Sequence, residues 1–371
     1  MVALLCKNKA VIFIVLFALS LGALYFTLTD LGVTIDEPYK NRTAAKLFVD
    51  WLELTLQDIS QGNWSHFSSQ EVIESFFHPP YIYHPPFARL LTGVTWKLFH
   101  PYVGELKALR LAPAILFSLN VALLFILIAK YFNISSGIVA SLALLFIPSA
   151  FGHAHLIALD SPIASMWFFT VFCFIKGLES RSWSLILGIV WGLALNTKIH
   201  AYFIPVPLFI WSFLYCKNRF QNNFFAMLFL SPIILFISNP YLWHDTIYNW
   251  FSFLSVFVKR KDFSPVAIYF LGTTYSYSAP WYYPFFMVFI TLPPTILVLS
   301  LLGTTGVFFR GIWSSLASLP WQHNVGTLFL LNAIAPLGLA AIHSAPNYDG
   351  VRLLLPAYPF LAGLAGIGFY Y

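Results

Sequence analysis

Ten apolar runs dominate this chain, near residues 10 to 29, 111 to 130, 134 to 151, 162 to 178, 183 to 197, 201 to 216, 222 to 238, 282 to 309, 324 to 342 and 353 to 371. A helix of about 20 apolar residues crosses the hydrocarbon core of a bilayer, where every backbone polar group must find its partner inside the protein. Repeated runs of this kind leave an all-α, polytopic transmembrane bundle of about ten spans as the expected fold. Composition agrees: 59% of residues are hydrophobic, 19% aromatic and 9% charged, and the mean hydropathy is +0.77. Lipid, not water, solvates such a chain. The first run is too long for a signal peptide and no small-residue cleavage pattern follows it, so it reads as an uncleaved first helix.

Charge placement then predicts orientation. A net charge of +6 would suggest nucleic acid in a soluble protein, but here the basic residues fall singly between spans. With a cytoplasmic N-terminus, the short inner connections carry Lys7 and Lys9, Lys130, Lys176 and Arg181, Lys217 and Arg219, and Arg310, as the positive-inside rule requires. The same alternation sends Asp36, Glu37, His84, Arg89, His153, His155, Asp160, Lys198, His200, His244, Asp245, Asp349 and Arg352 to the opposite side. Two outer segments are too long to be turns. The first, 30–110, has an amphipathic stretch from Asn41 to Asp58 and the prolines Pro85 and Pro86, which set His84 just before a helix start. The second, 239–281, holds the basic cluster Lys259-Arg260-Lys261, read as a solvated or headgroup-binding patch, and ends on Trp281-Tyr282-Tyr283, an aromatic knot of the kind that marks a membrane boundary. Residues 1–371 read as a single module with no internal repeat. Cys6, Cys173 and Cys216 lack the paired spacing of disulfides or zinc sites.

Ionisable groups beside a membrane are costly unless they have a task, and the adjacent pair Asp36-Glu37 follows directly on the first span. Structural readings stand beside the functional ones. Asp36 and Glu37 could cap a helix, and Asp160, before Ser161-Pro162, could N-cap the fourth span. Lys198 could snorkel to headgroups, Arg352 could be an interfacial anchor, and His84 could be a helix-start hydrogen bonder. His153 and His155 leave a divalent metal open, although their i, i+2 spacing points the rings apart and no third ligand is evident. Sequons occur at Asn41, Asn63 and Asn133, the first two on the predicted outer face.

The order of several motifs resembles the glycosyltransferase C superfamily, in the branch of protein O-mannosyltransferases and aminoarabinose transferases. The resemblance runs through Asp36-Glu37, His84-Pro85-Pro86-Phe87-Ala88-Arg89-Leu90-Leu91, Arg110-Leu111-Ala112-Pro113, Ala158-Leu159-Asp160-Ser161-Pro162 and Gly192-Leu193-Ala194-Leu195-Asn196-Thr197-Lys198, with weaker echoes at 280–284 and 352–356. It covers residues 30 to 215 best. What it implies is an integral membrane enzyme that moves a sugar from a polyprenyl-phosphate donor to a protein, lipid or glycan acceptor on the extracytoplasmic face, with inversion. A bacterial inner membrane is expected rather than an endoplasmic reticulum. The resemblance places the catalytic carboxylate at Asp36 and substrate-binding roles at Glu37, His84, Arg89, Asp160, Lys198 and Arg352, with no metal assigned.

The chemistry suits these residue types. A departing lipid phosphate needs no acid, only cations to hold its growing charge, and Arg89, Lys198 and Arg352 can supply them. The attacking acceptor must lose a proton, and a carboxylate within reach can take it. A flippase for lipid-linked saccharides is the alternative, and a non-catalytic scaffold subunit a third reading. Relatives usually extend further, so the chain is expected to be a short or incomplete member. Sugar and acceptor identity are not encoded in any motif.

Overall fold

The computed structural model of the chain describes residues 2–77, 84–216, 220–258, 266–313, 321–343 and 345–371. Helix α1 (Val2–Thr27) leads into the first outer segment: a π-helical turn Glu37–Asn41, α2 (Arg42–Ser60), the short α3 (Ser65–Ser68), α4 (Gln70–Phe77) and α5 (Phe87–Val103). The bundle continues with α6 (Glu105–Tyr131), α7 (Ile134–Leu145), α8 (Pro148–His153), α9 (Asp160–Gly177) and α10 (Arg181–Leu195). A 3-10 turn Ile199–Phe203 enters α11 (Pro205–Tyr215), and α12 (Gln221–Phe225) runs through a π-turn into α13 (Ser231–Ile237). The second outer segment holds α14 (Thr246–Val258) and an antiparallel ribbon of β1 (Ile268–Phe270) and β2 (Thr273–Tyr275). Helices α15 (Tyr283–Thr291), α16 (Pro294–Trp313), α17 (Trp321–Ala340) and α18 (Tyr358–Tyr370), the last preceded by the 3-10 turn Arg352–Ala357, complete it.

The apolar runs all fall on helices. Among the described residues three stretches are individually long and apolar enough to cross a membrane, Lys9–Thr27, Glu105–Tyr131 and Arg352–Tyr370, and shorter apolar helices accompany them. The run 282 to 309 breaks in two, because Leu292 is extended (ψ 137°) before Pro293 and Pro294. A residue ahead of proline is pushed out of the helical region, so hydropathy alone overestimates the length of that span. Helix α9 is buried almost all round. At the α16/α18 crossing a Cβ added to Gly303 would stand 2.0 Å from the Leu364 carbonyl oxygen, and one on Gly368 2.0 Å from that of Leu299. Small residues let the two backbones touch, the usual means of packing helices where lipid removes the hydrophobic driving force.

The two ends of the bundle differ in chemistry. At one end Lys9 donates to the Ala129 carbonyl, and Lys130 and Lys176 both pair with Glu179. These are the helix ends that the positive-inside reading assigns to the inner side; Lys217 and Arg219 lie outside the described residues. At the other end the outer segments fold over the bundle. Helix α2 turns Ala44, Ala45, Phe48 and Val49 inward and rests on α5, where a Cβ on Gly93 would meet the Ala45 carbonyl oxygen at 2.1 Å. Trp243 of the second segment lies 5.9 Å from Trp51 and 4.8 Å from Phe67, so both segments share one aromatic cluster. The expected boundary knot has Trp281 and Tyr282 exposed and Tyr283 buried. The basic cluster Lys259-Arg260-Lys261 lies outside the described residues.

Candidate active site

The strap after α1 is pinned by one residue pair. Arg110, wholly buried on α6, donates to both carboxylate oxygens of Glu37 at 2.9 and 2.8 Å and to the carbonyls of Leu28, Leu31 and Gly32. Glu37 also accepts from the backbone N–H of Ile157 (3.0 Å) and of Thr34 (2.8 Å). Burial pushes the Glu37 carboxyl up, but the Arg110 guanidinium and these two amides outweigh it and hold it below its ordinary value. An arginine fork on a carboxylate fixes direction as well as distance. The strap therefore cannot slide, and the residue before Glu37 is aimed elsewhere.

That residue is Asp36. It begins the π-turn without using its side chain as a cap. Its Oδ2 receives Arg352 Nη2 at 2.7 Å and its Oδ1 faces Lys40 Nζ at 3.4 Å. Burial raises its pKa, and Arg352 followed by Lys40 more than reverses this, leaving the carboxyl below its usual range. Asp160 opens α9, where the helix dipole favours an anion. Its carboxylate does not cap the helix; it pairs closely with Lys198 through Oδ1 and receives Arg352 Nε through Oδ2 at 2.7 Å. Lys198 is 6% exposed and aimed at Asp160, not out to the headgroups. Arg352 follows a left-handed pair, Asp349 (φ 58°) and Gly350 (φ 64°), and gives Nη1 to Asp349 at 3.1 Å. One guanidinium thus bridges Asp36, Asp160 and Asp349, from three distant stretches of chain.

Helix α5 starts just after Pro86, as the paired prolines require, and its first N–H, that of Phe87, donates to the Asn196 carbonyl at 3.0 Å. This bond ties the His84 motif to the motif that ends at Lys198. Arg89, 2% exposed, donates to the Asn41 side chain at 3.0 Å and to the His84 carbonyl at 3.2 Å. Asn41 is buried, so this sequon is engaged in the interior. Asn63 is exposed, and Asn133 caps α7 through the Ser136 N–H.

These side chains enclose a cavity of about 350 Å³ whose walls include Asp36, Lys40, His84, Arg89, Asp160, Lys198, Asp349 and Arg352. Six of the seven sequence candidates meet there. Glu37 is the exception: its carboxylate is saturated by protein donors and it is not among the described wall residues. Lys40, Asn41, Tyr348 and Asp349 line the cavity without having been singled out for it. Lys40 follows Asp36 by one helical turn, a spacing that could have flagged it. Lys198 and Tyr348 also border a second, mostly apolar groove of about 470 Å³ formed by Ile199, Phe203, Leu254, Pro336, Leu339 and neighbours. His153 and His155 are engaged by bonds within the fold: His153 Nδ1 meets the Ser149 carbonyl, His155 Nδ1 that of Phe151, and His155 Nε2 the Thr27 hydroxyl at 2.7 Å. Among the described residues there is no cluster of three or more His, Cys, Asp or Glu side chains that could hold a metal ion.

Residues 83–244 match the sequence profile of the family described as dolichyl-phosphate-mannose-protein mannosyltransferase. No curated protein matches the chain in sequence. Among solved structures, the chain is similar to ArnT from Cupriavidus metallidurans in the apo state, with a TM-score of 0.61 and 16% identity over 97% of this chain and 60% of that one. The same protein bound to undecaprenyl phosphate gives 0.60 and 18% over 96% and 59%. The apo oligosaccharyltransferase of Archaeoglobus fulgidus gives 0.59 and 11% over 95% and 50%. The chain therefore spans about 60% of the length of the ArnT structures. It is a polytopic membrane protein with the helical fold of these ArnT and oligosaccharyltransferase structures. Within that fold, the segment from 83 to 244 carries the mannosyltransferase-type sequence pattern.

Proposed function

We propose that the protein is a glycosyltransferase that moves a sugar from a polyprenyl-phosphate carrier to an acceptor in a single inverting displacement. One observation carries this reading: a partly exposed carboxylate, Asp36, stands against cations anchored on a buried one, Asp160, in a cavity that shares Lys198 and Tyr348 with an apolar groove. The groove suits the prenyl chain, and Lys198 and Tyr348, common to both spaces, mark where lipid gives way to phosphate. The match to an undecaprenyl-phosphate-bound ArnT supports the same choice of carrier.

In the reaction so read, an acceptor hydroxyl or amine attacks the anomeric carbon from the face opposite the phosphate. The bond from that carbon to the phosphate oxygen breaks, and its electron pair leaves with the polyprenyl phosphate. The donor is a phosphodiester with one negative charge, the product a monoester with a second; Lys198 and Arg352 stabilise the increment. The acceptor proton passes to Asp36. Asp160 is too enclosed to serve as base; it holds Lys198 and Arg352 in place for the phosphate. Once phosphate draws Arg352 toward it, Asp36 loses its strongest partner and becomes a better base. Arg89, held by Asn41, adds positive potential at the wall. The positive-inside pattern supports an extracytoplasmic cavity, and a bacterial inner membrane is the setting proposed.

The test is transfer by purified full-length protein, reconstituted in vesicles, from radiolabelled polyprenyl-phosphate sugars. Transfer that vanishes in a correctly folded Asp36→Asn protein is expected. Full activity in that variant, or movement of the lipid across vesicles without cleavage of its sugar bond, would overturn the reading; the second result would make the protein a flippase.

A further inference from the structure

A second pocket, of about 120 Å³, opens where the two outer segments meet, and it shares His84 with the polar cavity. Its walls include the rings of Phe48, Phe77, Tyr202 and Trp250 together with Asn239. Nothing in the reaction described above uses them. Asn239 is 7% exposed, and its side-chain oxygen is buried with no hydrogen-bond partner. Its backbone already closes the local turn, the N–H to Phe236 and the carbonyl from Leu242, so the side chain has no structural duty there. A buried polar oxygen left without a donor is costly and calls for a partner from outside. The Tyr202 hydroxyl receives Trp250 Nε1 at 3.1 Å, which leaves its own proton available as a donor. The pocket thus offers one acceptor, one donor and aromatic faces.

That combination matches a sugar ring, which has an apolar C–H face and a hydroxyl edge. By the space one water requires, the volume admits about eight to twelve water-sized groups, the size of one pyranose and not of a longer chain. A peptide bound by strand addition would need an open strand edge, and the pocket is walled by helices and turns. The 199–203 turn and α14 separate this pocket from the apolar groove: Tyr202, Trp250 and Phe253 line the pocket, while His200, Phe203 and Leu254 line the groove. The pocket adjoins the central cavity at His84 and the groove adjoins it at Lys198 and Tyr348, on two sides of one partition.

We infer that this pocket is a saccharide subsite on the acceptor side, so that the acceptor is itself a glycan or glycolipid with a sugar ring held by Asn239, Tyr202 and Trp250. The inference rests on the glycosyltransferase reading above. The probes are methyl glycosides of common hexoses and amino sugars, followed by saturation-transfer NMR on full-length protein in nanodiscs, beside binding of undecaprenyl phosphate alone. At least one glycoside should bind, its affinity should fall about tenfold or more in Asn239→Leu and in the milder Tyr202→Phe, and undecaprenyl phosphate binding and melting temperature should not move. Glycoside binding should also persist with undecaprenyl phosphate bound. No glycoside binding in protein that still binds undecaprenyl phosphate, or glycoside binding unaffected by both substitutions, overturns this inference alone. Glycoside displaced by a sugar-loaded carrier, but not by bare undecaprenyl phosphate, overturns the acceptor assignment and gives the pocket to the donor's own sugar. Binding of peptides in its place overturns the saccharide chemistry. Absence of undecaprenyl phosphate binding in wild type would instead sink the glycosyltransferase reading.

Discussion

Asp36 and Glu37 are neighbours in sequence with the same functional group, yet the structure employs them in opposite ways. Glu37 meets four N–H donors from Arg110, Ile157 and Thr34, and its partner Arg110 spends its remaining donors on three carbonyls. The side chains are 1% and 0% exposed, and every group in the knot is matched. Asp36 has a strong partner in Arg352 and a looser one in Lys40, and keeps 21% of its side chain open to the cavity. A carboxylate offers about four lone-pair directions. A saturated one can only hold structure, whereas one with spare capacity can take a proton. The knot at Glu37 fixes the strap so that the open site at Asp36 faces its cations.

Substitutions at the two positions should therefore fail differently. Asp36→Asn keeps size and a hydrogen bond while removing the base, so transfer should drop by about a hundred- to ten-thousandfold, with little change in melting temperature because the side chain is partly exposed. Unfolding scans run beside the transfer assay read both numbers. Arg110→Met attacks the sealed knot, leaving the buried Glu37 carboxylate with no counter-charge and only the Ile157 and Thr34 donors, and three carbonyls without the guanidinium. A cost of about 3 to 5 kcal/mol in stability is expected. Arg110→Lys should recover little of it, because an ammonium cannot reproduce the guanidinium fork. If Arg110→Lys melts like wild type while Asp36→Asn unfolds, the division of labour proposed between the two carboxylates is wrong.

The division was half legible in the sequence. Apolar runs announced the helical bundle, because that pattern follows from solvation by lipid. The motifs located Asp36, Asp160, Lys198 and Arg352, since unusual charges beside spans stand out in an apolar chain. The resemblance gave Asp36 the base and Glu37 a binding role, but not the sealing of Glu37, which depends on where Arg110, more than seventy residues away, enters the core. The bridging role of Arg352 was hidden for the same reason, being set by a left-handed turn at Asp349-Gly350 and three separated stretches. The break at Leu292 could have been read from the paired prolines that follow it. Asn239 gave no signal, because a lone asparagine at a helix end reads as a cap.

Lys198 tests the open half of the comparison from the cation side. In Lys198→Gln, Arg352 still pairs with Asp160, so the fold should survive. The phosphate loses a charge-assisted contact, and binding of undecaprenyl phosphate should weaken by about ten- to a hundredfold. Titration calorimetry of reconstituted protein reads this directly. Unchanged affinity would move the phosphate away from Lys198 and leave that residue only its structural pairing with Asp160.

The smallest effect concerns pH. Asp36 in the donor-free protein has its pKa lowered below the ordinary carboxylate value of 3.8, with Arg352 the main opponent of burial. A lowered pKa means that the ionised form, and the stability its ion pair contributes, is fully present above that ordinary value and is lost as pH falls through the lower folded one. The acid limb of kcat/KM, which reports free enzyme, should therefore show no titration of Asp36 near neutral pH. With donor bound, the phosphate competes for Arg352 and adds its own negative charge, and both raise the Asp36 pKa. The acid limb of kcat should lie at higher pH than that of kcat/KM, by about one unit. Arg352→Lys, which weakens the opposing fork, should narrow the gap by raising the free-enzyme limb. Coincident limbs in wild type would mean that Arg352 stays on Asp36 throughout the cycle, and that the open carboxylate is as fully engaged as its sealed neighbour.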